Sequence, residues 1–454
     1  MSLNSISSLD GRYFEEIAPL RDHFSEFAYF RQRVRIELDY LSALSSTGQF
    51  FSLTPADKNL FGEIVDNFNV SDASLIQSYE RKTRHDVKAI EYYLREKLPK
   101  TFTPWLHIGL TSEDVNNIAL ALALRNSRDA LILPTLDTLL KAFAQFARTY
   151  SDKPMLARTH GQPAVPTTLG KEIAVYLSRL MICHNEIAAH RFEAKLTGAV
   201  GNFNALHFVS PHQDWMGFSE KFIVSLGLHP NLVTTQILPY DNWIRYFDVI
   251  RRTNAILLDF AQDMWIYIGN GILSMVAVEG EVGSSTMPQK VNPIYFENAE
   301  GNLGLANAMM NHFAQKLPIS RLQRDLSDST LRRSFGSALG HTMLAWINIA
   351  RGIGRVRADK DSLLAELTSH WEVISEGVQT ILRASGKTDA YEAIKKDLHG
   401  RIISKKEYLS WIESLDVDDQ TRERLRGLSP ESYLGLAVQI TNKVLEDFER
   451  MNTT

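Results

Sequence analysis

The sequence has one cysteine among its 454 residues, Cys183, so no disulfide can form within the chain. A single thiol is untypical of small secreted domains that are held together by disulfides. The longest clean apolar run covers only residues 118–124, which is far too short to span a bilayer, and residues 1–13 lack the apolar core of a signal peptide. These absences predict a soluble, cytoplasmic protein.

The sequence also lacks an excess of basic residues. The chain has 49 Lys and Arg against 53 Asp and Glu, a formal charge of −4, whereas a nucleic-acid binder is usually basic. No Gly-x-Gly-x-x-Gly follows a strand pattern, and P-loop, His-Glu-x-x-His and Cys-x-x-Cys motifs do not occur. We therefore expect no cofactor, no metal site and no nucleic-acid partner. An anionic substrate would need positive charge that is concentrated locally, because the net charge would not attract it.

Apolar residues recur at helical spacing through most of the chain, whereas β-branched alternation is nearly absent. The stripes at 303–317 and 335–353 alternate spacings of three and four, which is typical of packed helical seams. Pro/Gly-rich breaks cover residues 151–170 and 198–211. The pattern predicts an all-α fold with three helical domains, namely 1–110, a long central bundle at 111–360, and 361–454.

Three positions have the residues of a helix start. Thr111 can cap a first turn, in which the acidic residues that follow favour the positive end of the helix dipole. Pro134 suits the first position of a helix, and so does Pro430 with Ser429 as its cap. We expect a helix to begin at each of these positions.

Residues 283–293 read Gly-Ser-Ser-Thr-Met-Pro-Gln-Lys-Val-Asn-Pro. Gly283, Pro288 and Pro293 prevent a regular helix here, although long helical patterns lie on both sides. By composition alone an ordinary surface loop is the better interpretation. The loop nevertheless combines hydroxyls, a cation and an amide, and loops of this kind often carry function.

Two further stretches have residues suited to chemistry. Residues 111–117 read Thr-Ser-Glu-Asp-Val-Asn-Asn, and a helix start with two hydroxyls and unpaired N–H groups can bind a carboxylate. A plain capping motif explains the same residues. His160 lies in the broken stretch Arg-Thr-His-Gly-Gln-Pro-Ala at 158–164, away from any apolar helix face, and a histidine can donate a proton near neutral pH.

The 283–293 loop resembles the signature of the aspartase/fumarase superfamily, whose members eliminate fumarate from succinyl-bearing substrates. Within it, the chain resembles the longer bacterial type of the adenylosuccinate lyase family. That likeness runs from about residue 10 to past 440 and is carried by Thr-x-His-Asp-Val at 83–87, Gly-Ala-Val-Gly-Asn-Phe-Asn at 198–204, Thr-Thr-Gln at 234–236 and Gln-Arg-Asp-Leu-Ser-Asp-Ser-Thr at 323–330.

Two alternatives stay open. Gln289 stands where this type usually has histidine, and Met-Pro-Gln-Lys is the argininosuccinate lyase version, so that lyase or another member of the superfamily is the second hypothesis. A catalytically inactive member could instead serve as a structural protein, as some lens crystallins do. That hypothesis expects the loss of Ser284 or His160, and both residues are present.

The resemblance implies β-elimination of fumarate from adenylosuccinate, giving AMP, and from SAICAR, giving AICAR, in purine biosynthesis. It implies Ser284 as the base and His160 as the acid. The substrate-binding set that it implies is Arg12, Tyr13, Arg84, His85, Asp86, Thr111, Ser112, Gln236, Ser285, Lys290, Asn292, Asn298, Arg324, Ser329 and Arg333. An apolar residue is commoner at position 332 in this type, so either Arg332 or Arg333 could face the nucleotide phosphate.

The resemblance also implies a homotetramer that acts on a small-molecule substrate. In this superfamily the long central helices pack as a shared core, and each site is drawn from three subunits. The expectation for this chain is that His160 and Ser284 of one site come from different subunits.

Overall fold

The computed structural model describes residues 3–280, 283 and 285–451. The chain divides into two compact units. Unit 1 comprises the described residues within Met1–Thr135, Cys183–Ala255 and Asn302–Leu344, and unit 2 those within Leu136–Ile182, Ile256–Gly301 and Ala345–Thr454. Helices make up most of both units, which confirms the predicted all-α class. The domain boundaries at 110 and 360 stay predictions.

Six helices precede the central part of the chain. They are α1 Phe14–Ile17, α2 Arg21–Phe24, α3 Glu26–Ser45, α4 Pro55–Asp66, α5 Val70–Thr83 and α6 Asp86–Lys97. The helical pattern at 21–44 is interrupted once, because Ser25 has an extended backbone and its hydroxyl accepts from the backbone N–H of Ala28 at 3.1 Å. Val34 and Leu38 of α3 pack with Ile90 and Leu94 of α6 in one hydrophobic core.

Within the described residues, the central part of the chain contains nine helices. They are α7 Ser112–Ser127, α8 Leu133–Thr149, α9 Leu169–Ala189, α10 Asn204–Val209, α11 Trp215–Ser225, α12 Asp241–Gly269, α13 Ile294–Lys316, α14 Ser327–Arg332 and α15 Phe335–Arg355. Among them are the four longest helices of the described chain, α9, α12, α13 and α15. The predicted seams lie on α13 and α15, where Leu303, Phe313, Phe335 and Trp346 are all buried. The long central helices read from apolar periodicity are therefore confirmed.

Pro134 does not begin a helix, contrary to expectation. A π-helical turn at Arg128–Ile132 joins α7 directly to α8, and Pro134 is the second residue of α8. A π-turn widens the backbone locally and so accommodates a residue that lacks an N–H and crowds the preceding turn. Sequence spacing alone does not distinguish this arrangement from a new helix.

The described residues contain three small two-stranded sheets. The strands are β1 Pro154–Thr159, antiparallel to β2 Gln162–Thr168; β3 Glu193–Ala194, parallel to β4 His229–Pro230; and β5 Leu273–Met275, antiparallel to β6 Val356–Ala358. The β1–β2 hairpin occupies the break predicted at 151–170. Its strands were not anticipated, because prolines and glycines obscure the period-two pattern.

The C-terminal segments are short, as predicted. They are α16 Lys360–Thr368, α17 Ser375–Ala384, α18 Ala390–Leu398, α19 Lys405–Ser414, α20 Asp419–Arg426 and α21 Ala437–Met451. No helix begins at Pro430, contrary to expectation. Instead, a single turn follows Ser429, whose backbone oxygen accepts from the backbone N–H of Tyr433 at 3.0 Å. Gly435, with φ +53°, lies between this turn and α21.

One helical segment of the described chain, Ser112–Thr149, is long and apolar enough by length and composition to cross a bilayer. The core helix of a soluble protein meets the same criterion. Here the first turn carries two fully buried carboxylates, Glu113 and Asp114, both of which form ion pairs with other side chains of unit 1. Such pairing is typical of a core helix.

A buried ion pair fixes the connection that leads into α7. Nδ1 of His107 lies 2.6 Å from Oε1 of Glu37, which is fully buried on α3. Burial lowers the pKa of His107, but the charge and hydrogen bond of Glu37, with Glu91 and Asp114 nearby, outweigh burial and raise the pKa above its ordinary value of 6.5. The folded state therefore favours the protonated imidazole.

We predict that this pair makes the fold less stable as pH rises. A raised folded-state pKa contributes stability that is complete below the unfolded pKa and is lost as pH rises through the folded pKa. The melting temperature of the wild type should therefore fall more between pH 6 and pH 8 than that of His107→Gln. Exposed His212→Gln is the control and should keep the wild-type slope. Parallel slopes for wild type and His107→Gln would contradict this assignment.

Candidate active site

A cavity of about 330 Å³ lies within unit 1. Four separate segments line it, namely the α2–α3 region, the α5–α6 junction, the first turns of α7, and the segment that contains α14. The predicted site residues that it brings together are Arg84, His85, Asp86, Ser112, Arg324, Ser329 and Arg333. Most of these side chains carry charge or a hydroxyl, so the cavity is suited to a polar, charged ligand.

The α5–α6 junction presents His85 to the cavity. Arg84 ends α5 in the left-handed conformation, with φ 57°, and the chain then turns sharply into α6. His85 caps α6, and its Nδ1 accepts from the backbone N–H of Lys88 at 3.2 Å. Since Nδ1 accepts, the neutral ring carries its proton on Nε2, which is left to donate to a ligand.

Asp86 is held by a buried arginine. Its Oδ2 accepts from Nη2 of Arg33 at 2.6 Å, and its Oδ1 accepts from the backbone N–H of Val87 at 2.9 Å. Burial raises the pKa of Asp86, but Arg33, the N–H of Val87 and His85 together outweigh burial, and the overall shift is downward. Arg33 also donates from Nε to Oδ1 of Asn116 on α7 at 2.9 Å, so one guanidinium positions both residues at the cavity.

Asp114 fixes the start of α7. Its carboxylate accepts from the backbone N–H groups of Thr111 at 2.9 Å, Thr197 at 3.0 Å and Gly198 at 3.2 Å, and it pairs with the buried Nζ of Lys195 at 2.8 Å. The capping motif read from the sequence is therefore present, and it is also anchored to a distant loop. Thr111 itself lies outside the set of residues that line the cavity, whereas its neighbour Ser112 belongs to it.

Sequence reasoning missed Glu113. This fully buried carboxylate accepts at Oε1 from Nη2 of Arg324 at 2.9 Å and from Nδ2 of Asn116 at 2.8 Å, and at Oε2 from Nη1 of Arg332 at 2.9 Å. Burial raises the pKa of Glu113, but Arg332 and Arg324 outweigh burial, and the overall shift is downward. The only sequence feature that pointed to a buried carboxylate partner was an arginine at 332, next to Arg333, where an apolar residue is commoner. It lies more than 200 residues from Glu113.

The two adjacent arginines face different surroundings. Arg332 is 4% exposed and pairs with Glu113 and with Asp328. Arg333 is 46% exposed, pairs with Glu26 at the start of α3, and lies 3.9 Å from Asp86. Both arginines line the cavity, but Arg333 is the more accessible to a ligand, because the guanidinium of Arg332 is paired with two buried carboxylates.

Three other predicted residues of unit 1 do not line the cavity. Arg12 is exposed and Tyr13 is half-buried at the start of α1. Gln236 contacts Arg324, whose Nη1 donates to its Oε1 at 3.4 Å. The structure thus links Gln236 to the cavity through one arginine.

His160 belongs to unit 2, at the tip of the β1–β2 hairpin. The register pairs Thr159 with Gln162, so His160 and Gly161 form a two-residue loop. Both have positive φ, 53° and 72°, as the type I′ turn of a tight hairpin requires. A residue other than glycine is uncommon in this conformation, and here it places an exposed imidazole at the tip of the hairpin.

The 283–293 loop is a loop, as expected, and it closes on itself in unit 2. Nδ2 of Asn292 donates to the backbone oxygen of Gly283 at 2.7 Å, and a Cβ on Gly283 would lie 2.0 Å from the backbone oxygen of Lys290. Glycine is therefore required at 283. Ser285 and Lys290 are exposed, while the predicted base Ser284 lies outside the described residues.

Asn298 belongs to unit 2 and lies on α13, the helix that follows the loop. Its Oδ1 accepts from Nδ2 of Asn348 on α15 at 2.8 Å. This hydrogen bond fixes the rotation of the Asn298 amide relative to the helix.

Two solved structures share this fold. A 3-carboxy-cis,cis-muconate lactonizing enzyme from Pseudomonas putida has a TM-score of 0.79 at 19% identity and covers 98% of this chain and 100% of its own. A fumarate lyase from Mesorhizobium sp. BNC1 has a TM-score of 0.77 at 17% identity and covers 94% and 97%. At these identities the likeness concerns the fold alone.

Sequence comparison is more specific. A family model described as lyase matches residues 11–309, and one described as adenylosuccinate lyase C-terminal matches residues 320–434. Adenylosuccinate lyases from Haemophilus influenzae and Vibrio cholerae are each 43% identical over 98% of this chain and 99% of their own length. The Escherichia coli K12 enzyme is 39% identical over the same shares. With matches of this identity over nearly its whole length, the chain belongs to the adenylosuccinate lyase family.

Proposed function

We propose that this protein cleaves adenylosuccinate to AMP and fumarate, and SAICAR to AICAR and fumarate. The observation that carries the proposal is the unit 1 cavity, where charged and hydroxyl side chains from four segments converge. They include the histidine and aspartate of the Thr-x-His-Asp-Val stretch and the serine at the start of α7. Such a cavity fits a ligand that carries a phosphate and two carboxylates.

The difficult step is the removal of a proton from the carbon next to a carboxylate. The base, proposed to be Ser284, takes this proton, and the electron pair forms the C=C bond of fumarate as the C–N bond breaks. His160 gives its proton to the departing nitrogen from the opposite face, as an anti elimination needs. Negative charge that builds up on the succinyl carboxylate must meet fixed positive groups and hydrogen-bond donors.

Four residues are proposed to hold the succinyl carboxylates. They are Lys290, Asn292, Thr111 and Ser112. A serine hydroxyl is a weak base at neutral pH unless its neighbours lower its pKa, and Lys290 with the backbone N–H groups of the loop would supply that effect for Ser284. Closure of the 283–293 loop over the substrate would exclude water and strengthen these contacts.

The nucleotide phosphate is proposed to bind Arg333 and Ser329, with Arg12 and Tyr13. The exposure of Arg333 at the cavity supports this role, because a phosphate could replace the Glu26 carboxylate as its partner. The remaining residues are proposed to orient the substrate. They are Arg84, His85, Asp86, Gln236, Ser285, Asn298 and Arg324.

The active form is proposed to be a cytoplasmic homotetramer of D2 symmetry whose sites combine residues of three subunits. Exposed apolar side chains on the long helices support an interface. Ile182 on α9 is 58% exposed, and Trp265 and Ile266 on α12 are about half exposed. Contact with another subunit would remove these apolar surfaces from water, which favours association.

A two-substrate assay tests the proposed reaction. Adenylosuccinate should give a change of ultraviolet absorbance towards that of AMP, whereas argininosuccinate should give no turnover. Gln289 favours argininosuccinate lyase as the second candidate. Turnover of argininosuccinate without turnover of adenylosuccinate would reverse the assignment.

We predict that Ser284→Ala nearly abolishes turnover and changes the substrate dissociation constant little, because the hydroxyl acts in the chemistry while many other groups hold the substrate. Single-turnover kinetics and equilibrium binding separate the two effects. Ser285→Ala is the matched control, since the neighbouring hydroxyl is proposed only to bind, and it should keep most of kcat. A near-normal kcat in Ser284→Ala would remove this residue from the mechanism.

We predict that Arg333→Ala raises KM for both succinylated nucleotides, because both carry the same phosphate. The loss of one charge-assisted hydrogen bond costs about 1.5–3 kcal/mol, which corresponds to roughly a 10- to 100-fold change. Arg333→Lys keeps the charge and should show a smaller rise. An unchanged KM for both substrates in Arg333→Ala would assign the phosphate to Arg332 or Arg12 instead.

A further inference from the structure

We propose that Arg332 is a positioning residue that neutralises Glu113 and thereby leaves Arg324 available to bind an anionic group of the substrate. This inference rests on the proposed function and adds to it a residue that lines the same cavity but whose guanidinium is only 4% exposed and pairs with Glu113 and Asp328. The anionic group is a phosphate or a carboxylate, which present the same oxygen chemistry to a guanidinium.

The geometry of the Glu113 carboxylate supports this role. Arg332 contacts it in a forked arrangement, with Nη1 2.9 Å from Oε2 and Nη2 3.2 Å from Oε1. Arg324 contacts it through one nitrogen, Nη2, which lies 2.9 Å from Oε1. A forked arginine pair is the stronger of the two arrangements, so Arg332 is the principal partner of Glu113.

The charges of the cluster lead to the same conclusion. Asp328 is buried beside Glu113, and its Oδ2 accepts from the hydroxyl of Tyr240 at 2.7 Å and pairs with Nη2 of Arg332 at 3.2 Å. Two carboxylates therefore face two arginines. With an apolar residue at 332, Glu113 would keep Arg324 and Asp328 would keep the hydroxyl of Tyr240. The cluster would then carry an excess of negative charge, which disfavours an anion.

Arg324 can still bind a ligand while it contacts Glu113. It lines the cavity, its side chain is 19% exposed, and its second contact, to Gln236, is long at 3.4 Å. Its Nε is buried and has no hydrogen-bond partner among the described residues. A buried donor without a partner is costly, and an anion in the cavity could satisfy it.

The test begins with Arg332→Leu. If Arg324 then turns to Glu113 as its principal partner, KM for adenylosuccinate should rise roughly 10- to 100-fold, the value of one charge-assisted contact, while kcat changes less. Arg332→Lys keeps the charge and should show a smaller rise. Arg35→Leu removes a surface arginine that pairs with Asp39 and lies outside the cavity lining, so it should leave KM unchanged. An unchanged KM in Arg332→Leu overturns the proposal.

A second substitution distinguishes positioning from packing. If Arg332 acts by neutralising Glu113, then Glu113→Gln in the Arg332→Leu background removes the excess negative charge and should return KM towards the wild-type value. If Arg332 only fills space, the effects of the two substitutions on KM should add, and that outcome contradicts the proposal. The double variant buries one charge fewer than Arg332→Leu, so it keeps the test valid where the single variant does not fold.

Binding of simple anions gives a readout that does not depend on turnover. Calorimetry measures the binding of inorganic phosphate and of fumarate to the wild type and to Arg332→Leu. If Arg324 binds the phosphate of the substrate, the variant should bind inorganic phosphate more weakly. If Arg324 binds a carboxylate, the variant should bind fumarate more weakly. Equal affinities of wild type and variant for both anions overturn the inference. A wild type that fails to cleave adenylosuccinate refutes the proposed function instead, and the calorimetry still decides the role of Arg332.

Discussion

Two adjacent carboxylates are buried in the first turn of α7, and much of unit 1 is arranged to satisfy them. Asp114 is compensated by Lys195 and by backbone N–H groups of the 197–198 loop, and Glu113 by Arg324 and Arg332. A buried charge without partners costs several kcal/mol, so these partners must arrive from distant parts of the chain when unit 1 folds. The start of α7 consequently joins two segments, 195–198 and 324–332, that are far from it in sequence.

The same constraint gives the cavity its fixed polar groups. Arg33 joins Asp86 on α6 to Asn116 on α7, and Asn116 in turn donates to Glu113. Asp86 and Asn116 are therefore held by a buried arginine rather than by solvent. A rigid arrangement of this kind positions donors before the substrate arrives, which is the condition for electrostatic stabilisation of a developing charge.

The sequence predicted the elements better than their contacts. Apolar periodicity was sufficient for the long helices, and the Pro/Gly content located the break that contains His160. The hairpin around His160 was missed because prolines hide the alternation. The role of Glu113 was missed because its arginine partners are more than 200 residues away. Pro134 and Pro430 were misassigned because the residue preferences of helix starts do not predict a π-turn or a single isolated turn. Contacts between distant parts of the chain therefore determine the role of Glu113.

The proposed composite site, with the acid and the base on different subunits, is tested most directly by subunit mixing. Two inactive variants, His160→Ala and Ser284→Ala, are unfolded together and refolded as mixed tetramers, whose composition native mass spectrometry confirms. If the two residues of one site come from different chains, random mixing restores about a quarter of the sites in a symmetric oligomer. Mixed tetramers that cleave no adenylosuccinate would contradict the account.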